Sequence, residues 1–358
     1  MVKESDEFSQ ELALFLKSFE PYQQKYFSQK IKSGLKYAPL IADFYKNLAD
    51  FSQGGKRMRA FFVWLGYRIG RPSHEASDGK GDEDLKKILP ICLAIEIVHS
   101  FLLIHDDVID QSDTRRFKST IHKRYEKVGG EHYGMSQAII LGDIACFEAF
   151  ELVSSADFDD ALKIKCIGQV ANVLLETGYG EALDVETTFK GGAFGEIYQV
   201  MDLKTARYSF VGPLALGATL GSVQKRQVDA ITGFGLACGI AYQLADDILG
   251  VFGDEETTGK PSDLHEGKNT LLIYKALEDA KPGEKGILRK IWGDKNANQQ
   301  DLKIVQEIIS SSGALEWSRQ EQGRLTAKAK GEIEKITVDK RLQLILLEVA
   351  DFVISRRK

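Results

Sequence analysis

The chain has 358 residues, 43% of them hydrophobic and 28% charged, with a formal charge of −5. That is enough apolar material for a sizeable core, and it excludes a disordered chain, a collagen-like repeat and a disulfide miniprotein. The slightly acidic balance gives no support for nucleic acid as a partner.

In chain order, Met1 to Phe8 is polar and acidic and does not read as a secretion signal. The seven prolines are scattered, with none from Ile91 to Gly212. Proline breaks helix interiors, so this long stretch is free to be helical. Ile88–Ile109 and Ala230–Phe252 have helical spacing and are apolar almost all round, the mark of helices buried against other helices. Polar or Gly-rich breaks fall at Arg71–Asp84, Lys127–Gly134, Thr187–Gly195, Gly253–Lys268 and Lys281–Gln300. No stretch sustains a period-two strand pattern. The expected fold is a single all-α domain over residues 1–358, built from about a dozen long helices. The longest charge-free runs, Tyr208–Gln224 and Ala230–Ala245, fall short of a membrane span, so no transmembrane segment is expected. Cys92, Cys146, Cys166 and Cys238 lie singly in apolar stretches, which suits reduced thiols and a cytoplasmic location.

Two acidic stripes carry chemistry. On a helical wheel Glu96, His99, Leu103, Asp106, Asp107 and Asp110 fall within an arc of about 100°. Asp106 and Asp110 stand at i and i+4, where like charges repel, so a cation is expected between them. Gly239, Tyr242, Gln243, Asp246, Asp247, Gly250 and Asp254 share a second face. Carboxylates without cysteine suit Mg²⁺, held through one or two carboxylates, waters and substrate phosphates. That chemistry calls for a phosphorylated substrate and for further cations. Lys56, Arg57 and Arg59 in GGKRMR, Arg115 and Arg116, Lys204 beside Thr205, and Lys260 and Lys268 supply them.

GGKRMR, LIHDDVIDQSDTRR, YQLADDILGVFGD and GKPSDLHEGKNT resemble, in order and spacing, the motifs of the trans-polyprenyl diphosphate synthases. The likeness runs from about Gln53 to the C-terminus, and LGD (Leu141–Asp143), KTARYSF (Lys204–Phe210) and a basic end agree with it. The resemblance implies an all-helical barrel around a central cavity, usually a homodimer. It implies Mg²⁺-dependent head-to-tail condensation of isopentenyl diphosphate with an allylic diphosphate, using about three Mg²⁺ per site. On the same footing, Asp106 and Asp110 resemble ligands of two Mg²⁺, with Asp107 supporting them. Asp246 resembles the holder of the third, with Asp247 and Asp254 nearby. Arg115, Lys204 and Lys260 look like allylic diphosphate ligands. Lys56, Arg59, His99 and Arg116 look like the isopentenyl diphosphate site. Thr205 and Gln243 would face the forming cation, and Lys268 would close the cavity. Two departures stand out: Gly250 breaks the second DDxxD, and Glu181 stands where Gln is common.

In such enzymes, bulk just upstream of the first acidic cluster limits chain growth. Here that is Phe101 and Leu102. The wheel nominates Leu102, about 40° from Asp106, over Phe101 at about 140°; the resemblance nominates Phe101. An aromatic five residues upstream, with no insertion between Asp107 and Asp110, resembles the archaeal-type geranylgeranyl diphosphate synthases, so a C20 product is expected before C15. A terpene cyclase would have no use for the second basic cluster. A His-Asp metal phosphohydrolase, with His105–Asp106 as its dyad, fits a DD-rich stripe less well than Mg²⁺ does. A regulatory subunit would be expected to lose the acidic motifs.

Overall fold

The computed structural model describes residues 6–71, 80–253 and 262–355, without the side chains of 80–82 and 262–263. Asp254 and Lys260 therefore lie outside the described residues, as does most of the Arg71–Asp84 loop. The described chain is all-α: seventeen α-helices, one π-helix and a single two-stranded hairpin. The helices are more numerous and shorter than the dozen read from the sequence. They divide between two compact units, Met1–Val170 with Pro213–Val223, and Ala171–Gly212 with Gln224–Lys358.

In the first unit, α1 (Glu7–Gly34) starts where the Asp6 side chain accepts the Ser9 N–H at 2.7 Å. It buries Phe8, Phe15, Phe19 and Phe27, and Phe8 and Phe15 meet Phe61 edge-on. Phe61 belongs to α3 (Met58–Ile69), which follows α2 (Pro39–Phe51). Next come α4 (Lys80–Ile109), the hairpin Thr114–Arg115/Lys118–Ser119, α5 (Ile121–Gly129) and α6 (Glu131–Ser155), and then the start of α7 (Asp160–Lys190). α4 packs on α6 and α3. The segment from Pro213 crosses α3 backbone to backbone. A Cβ added at Gly217 would sit 1.9 Å from the Val63 carbonyl, and one at Gly66 would sit 2.2 Å from that of Leu214. Only glycine permits that approach.

The second unit holds the rest of α7, then α8 (Phe194–Val200), the π-helix Met201–Val211, the first residue of α9 (Gly212–Leu220) and α10 (Lys225–Phe252). Helices Ser262–Glu266, Leu271–Asp279, Pro282–Ile291, Gln299–Ser311, Ala314–Lys330, Ile333–Ile336 and Lys340–Phe352 follow. α10 packs on the π-helix and on Ala314–Lys330. Pro282–Ile291 corrects the reading of Lys281–Gln300 as a break: proline takes the first turn, and Leu288 and Ile291 are buried.

Length does not exclude membrane spans as the charge-free runs suggested. Glu83–Ile109 and Lys225–Phe252 are long and apolar enough to cross a bilayer, and 67% and 61% of their apolar windows are buried inside the molecule. Burial inside the protein answers their apolar character as a bilayer would.

Candidate active site

The first unit gathers a cluster of cationic side chains around His99. Arg57 caps α3 in the left-handed region (φ 54°), with its Nη1 3.5 Å from Oε2 of buried Glu96. Glu96 Oε1 accepts the Ala60 N–H at 3.1 Å, so this member of the α4 polar stripe anchors the start of α3. The hairpin supplies Arg115 and Arg116. Its two-residue turn, Arg116–Phe117, has φ of 50° and 62°, the sign that the right-handed twist of a hairpin demands at both turn positions. Asp50 holds the hairpin through Lys118 at 2.6 Å, and it binds Arg124 of α5 at 2.8 Å. Arg116 reaches over Gly55, where an added Cβ would lie 3.4 Å from its Nη2. Three of the five non-glycine residues with positive φ among the described residues, Arg57, Arg116 and Phe117, lie in the two segments that carry these cations. Backbone strain of this kind clusters at functional sites.

His99 of α4 stands among these cations. Its burial, reinforced by Arg59, Arg116, Arg115 and Arg57, pushes the imidazole well below the usual histidine range, so it stays neutral. Such a concentration of guanidinium groups has the charge and fork geometry to bind an anion. Lys56 is exposed beside it.

In the first acidic stripe Arg115 bridges Asp106 and Asp107. Its Nε donates to Asp107 Oδ1 at 2.7 Å and its Nη2 to Asp106 Oδ2 at 3.0 Å. Asp107 is buried, whereas Asp106 and Asp110 keep partial contact with solvent. Burial lifts the Asp107 carboxyl to about 7 against the pull of Arg115, and Asp106 and Asp110 add to the lift. Among the described residues no three His, Cys, Asp or Glu side chains converge as a metal-binding group. The donor set nevertheless fits a hard cation held partly by substrate phosphates: aspartate oxygens on one face, no sulfur, and a guanidinium already resting on two of the carboxylates. The His-Asp dyad finds no support, because His105 Nε2 lies 3.1 Å from the Ile139 carbonyl of α6.

The second stripe repeats the pattern with different partners. Asp247 is buried and Asp246 half-buried. Thr205 Oγ1 donates to Gln243 Oε1 at 2.6 Å, and Gln243 Nε2 donates to Asp247 Oδ1 at 2.8 Å. Thr205 and Lys204 sit on the π-helix, whose wider register is evident in the Gly212 N–H bonding back to Arg207. Lys204 Nζ is held by Asp184 at 2.6 Å and by Glu181 at 3.0 Å. Lys268 pairs with Glu266 at 3.0 Å. The residue at this cluster that the sequence reading gave no role is Asp184. The one signal for Asp184 was its place three residues after Glu181 on a helix. Phe101 meets the His105 ring edge-on at 4.9 Å, and Leu102 is half-buried beside it.

A family model described as polyprenyl synthetase matches residues 40–309. The geranylgeranyl diphosphate synthase of Saccharolobus solfataricus is 32% identical, over 86% of this chain and 88% of its own length. That of Methanosarcina mazei is 29% identical over 85% and 86%. Among solved structures, the geranylgeranyl pyrophosphate synthase of Corynebacterium glutamicum, complexed with isoprenyl diphosphate and magnesium, superposes with a TM-score of 0.86 at 29% identity, covering 96% of this chain and 99% of that one.

Proposed function

The chain belongs to the polyprenyl synthetase family, and on that premise we propose that it is a prenyltransferase. It condenses isopentenyl diphosphate head to tail with an allylic diphosphate to form a short-chain prenyl diphosphate, geranylgeranyl diphosphate (C20) first. The observation that carries this reading is the neutral His99 ringed by Arg57, Arg59, Arg115 and Arg116. That is a diphosphate pocket additional to the acidic stripes, and a cyclase or a hydrolase would have no second diphosphate to put there.

Isopentenyl diphosphate takes the pocket of Lys56, Arg59, His99 and Arg116, with Arg57 adding charge. Neutral His99 offers a hydrogen bond without a proton to surrender. In the first unit Asp106, Asp110 and Arg115, and in the second Lys204, Asp246 and Lys268, take the roles toward the allylic diphosphate that the resemblance gives them, as it does Lys260 and Asp254. Asp106, Asp110 and Asp246 would hold about three Mg²⁺, whose charge stabilises the departing diphosphate. Asp107 and Asp247 stay on the protein side of that set, holding Arg115 and Gln243 respectively. Because the Thr205 hydroxyl donates its hydrogen bond to Gln243 Oε1, its lone pairs are directed away from Gln243 and toward a forming allylic cation. No protein base is required, since the departing diphosphate can accept the proton.

The enzyme acts as a cytoplasmic homodimer without a transmembrane segment. Exposed Ile139, Ile140 and Phe147, sharing one face of α6, support a partner surface there. The test is direct: purified protein, Mg²⁺, isopentenyl diphosphate, and dimethylallyl, geranyl or farnesyl diphosphate. Condensation ending at C20 is expected. Release of a cyclic hydrocarbon or a monophosphate in its place overturns the proposal.

A further inference from the structure

We propose that His105 is a positioning residue that sets product length by fixing the ring of Phe101. The inference rests on the reading of Phe101 as the residue that limits chain growth, and it adds the element that holds that ring in place.

Phe101 and His105 stand one turn apart on α4, so both side chains leave the helix on the side that meets α6. The buried positions of α6 include the small residues Ala138, Gly142, Ala145 and Ala149, with the larger Leu141 and Leu152 among them. The absence of a side chain at Gly142 leaves a shallow groove there, and the His105 imidazole lies in it. A Cβ at Gly142 would stand 2.2 Å from His105 Nε2 and 2.4 Å from Cδ2. The same nitrogen lies 3.1 Å from the Ile139 carbonyl oxygen and 3.7 Å from Asp143 Oδ1. A hydrogen bond to the backbone and the absence of a side chain at 142 together fix the imidazole against α6.

Phe101 rests on that fixed ring. The two rings meet edge to face, with centroids 4.9 Å apart and planes at 78°, a favoured aromatic geometry. With the imidazole filling the groove, Phe101 cannot turn toward α6, and its bulk stays where a growing chain would meet it. Without the imidazole, the groove beside Gly142 is open to the Phe101 ring. This also reconciles the wheel with the resemblance. Phe101 stands off the acidic face of α4, and it limits length because a second ring denies it the alternative direction.

The experiment compares Phe101→Ala, His105→Ala and the wild-type chain, extending farnesyl diphosphate and reading the ratio of products longer than C20 to C20. Turnover with dimethylallyl diphosphate and thermal unfolding are measured in parallel. Both variants are expected to raise the ratio by about tenfold, the scale on which apolar pockets discriminate by a few methylenes. Lengthening in Phe101→Ala but not in His105→Ala overturns the role of His105 and leaves Phe101 as the limit. An unchanged ratio in both overturns the chain-length reading of Phe101 as well. Where His105→Ala lacks turnover, Gly142→Ala gives an independent answer. Its methyl displaces the same imidazole without altering α4, so a changed product distribution is expected and an unchanged one overturns the proposal.

Discussion

The acidic stripes of α4 and α10 are built to one plan and neutralised in two ways. In each, the second aspartate of a DD pair is buried and the first faces partly outward. Asp107 is answered by the guanidinium of Arg115, whereas Asp247 is answered by the side-chain amide of Gln243. A charged partner makes the first stripe a coupled ion-pair cluster in which removing one member strands a buried charge. A neutral partner makes the second a hydrogen-bond relay, less costly to break and ending at the hydroxyl of Thr205. The first arrangement suits charge exchange with an incoming metal and diphosphate; the second suits orientation.

Replacing the outward aspartates should give the largest effect. Asp106→Ala is expected to lower kcat by about 10³-fold and Asp246→Ala by about 10²-fold. Asp106→Ala should leave the fold intact by circular dichroism, since it relieves repulsion with Asp110. Equal losses would erase the distinction between the stripes. Next comes stability. Arg115→Ala should cost about 2 kcal/mol in urea unfolding, discounted from a fully buried pair because Arg115 is partly exposed. Gln243→Ala should cost about 1 kcal/mol. A larger loss for Gln243→Ala would reverse the comparison.

The pH dependence of stability tests the cationic cluster beside the first stripe. Unfolded histidine takes up a proton near pH 6.5, while native His99 resists it. The unfolded state therefore binds more protons as pH falls below 6.5, and the native state loses stability over that window. His99→Gln should flatten the profile by about 1 kcal/mol between pH 6.5 and 5.5. Superimposable profiles would mean that the imidazole titrates normally. On the second stripe's side, Glu181→Gln keeps a partner for Lys204 but lowers the competing negative charge. KM for the allylic diphosphate should fall about threefold, with kcat within about twofold. The smallest effect concerns the strained turn: Phe117→Gly should stabilise the protein by about 1 kcal/mol in thermal unfolding, because φ of 62° suits glycine.

The long helices and both stripes were legible because burial and helical period act within one segment. The wheel put Asp106, Asp107 and Asp110 together without any knowledge of α6. What it missed depends on distant partners or on local exceptions to the period. Lys204 stands 23 residues from Glu181 and 20 from Asp184, on a different helix, and only packing joins them. The hairpin was hidden because its turn is Arg116–Phe117, without the Asn-Gly or Asp-Gly signature of such turns. Pro282–Ile291 was hidden by its charge and by Gly283 and Gly286 within it, although its buried Leu288 and Ile291 stand at the i, i+3 spacing of a helix face. The relation of Phe101 to growth could not come from the wheel, because the contact that holds its ring is made with His105 against another helix.

The π-helix over Met201–Val211 has a consequence for how this chain can change. A π turn takes up about one residue more than an α turn, so such a segment stores length as register. Deleting one residue between Thr205 and Val211 would spare the Lys204 side chain, yet it would rotate Lys204 and Thr205 against the residues that follow by about 100°. Point substitution edits the chemistry of this site; a change of a single residue in chain length would re-aim it.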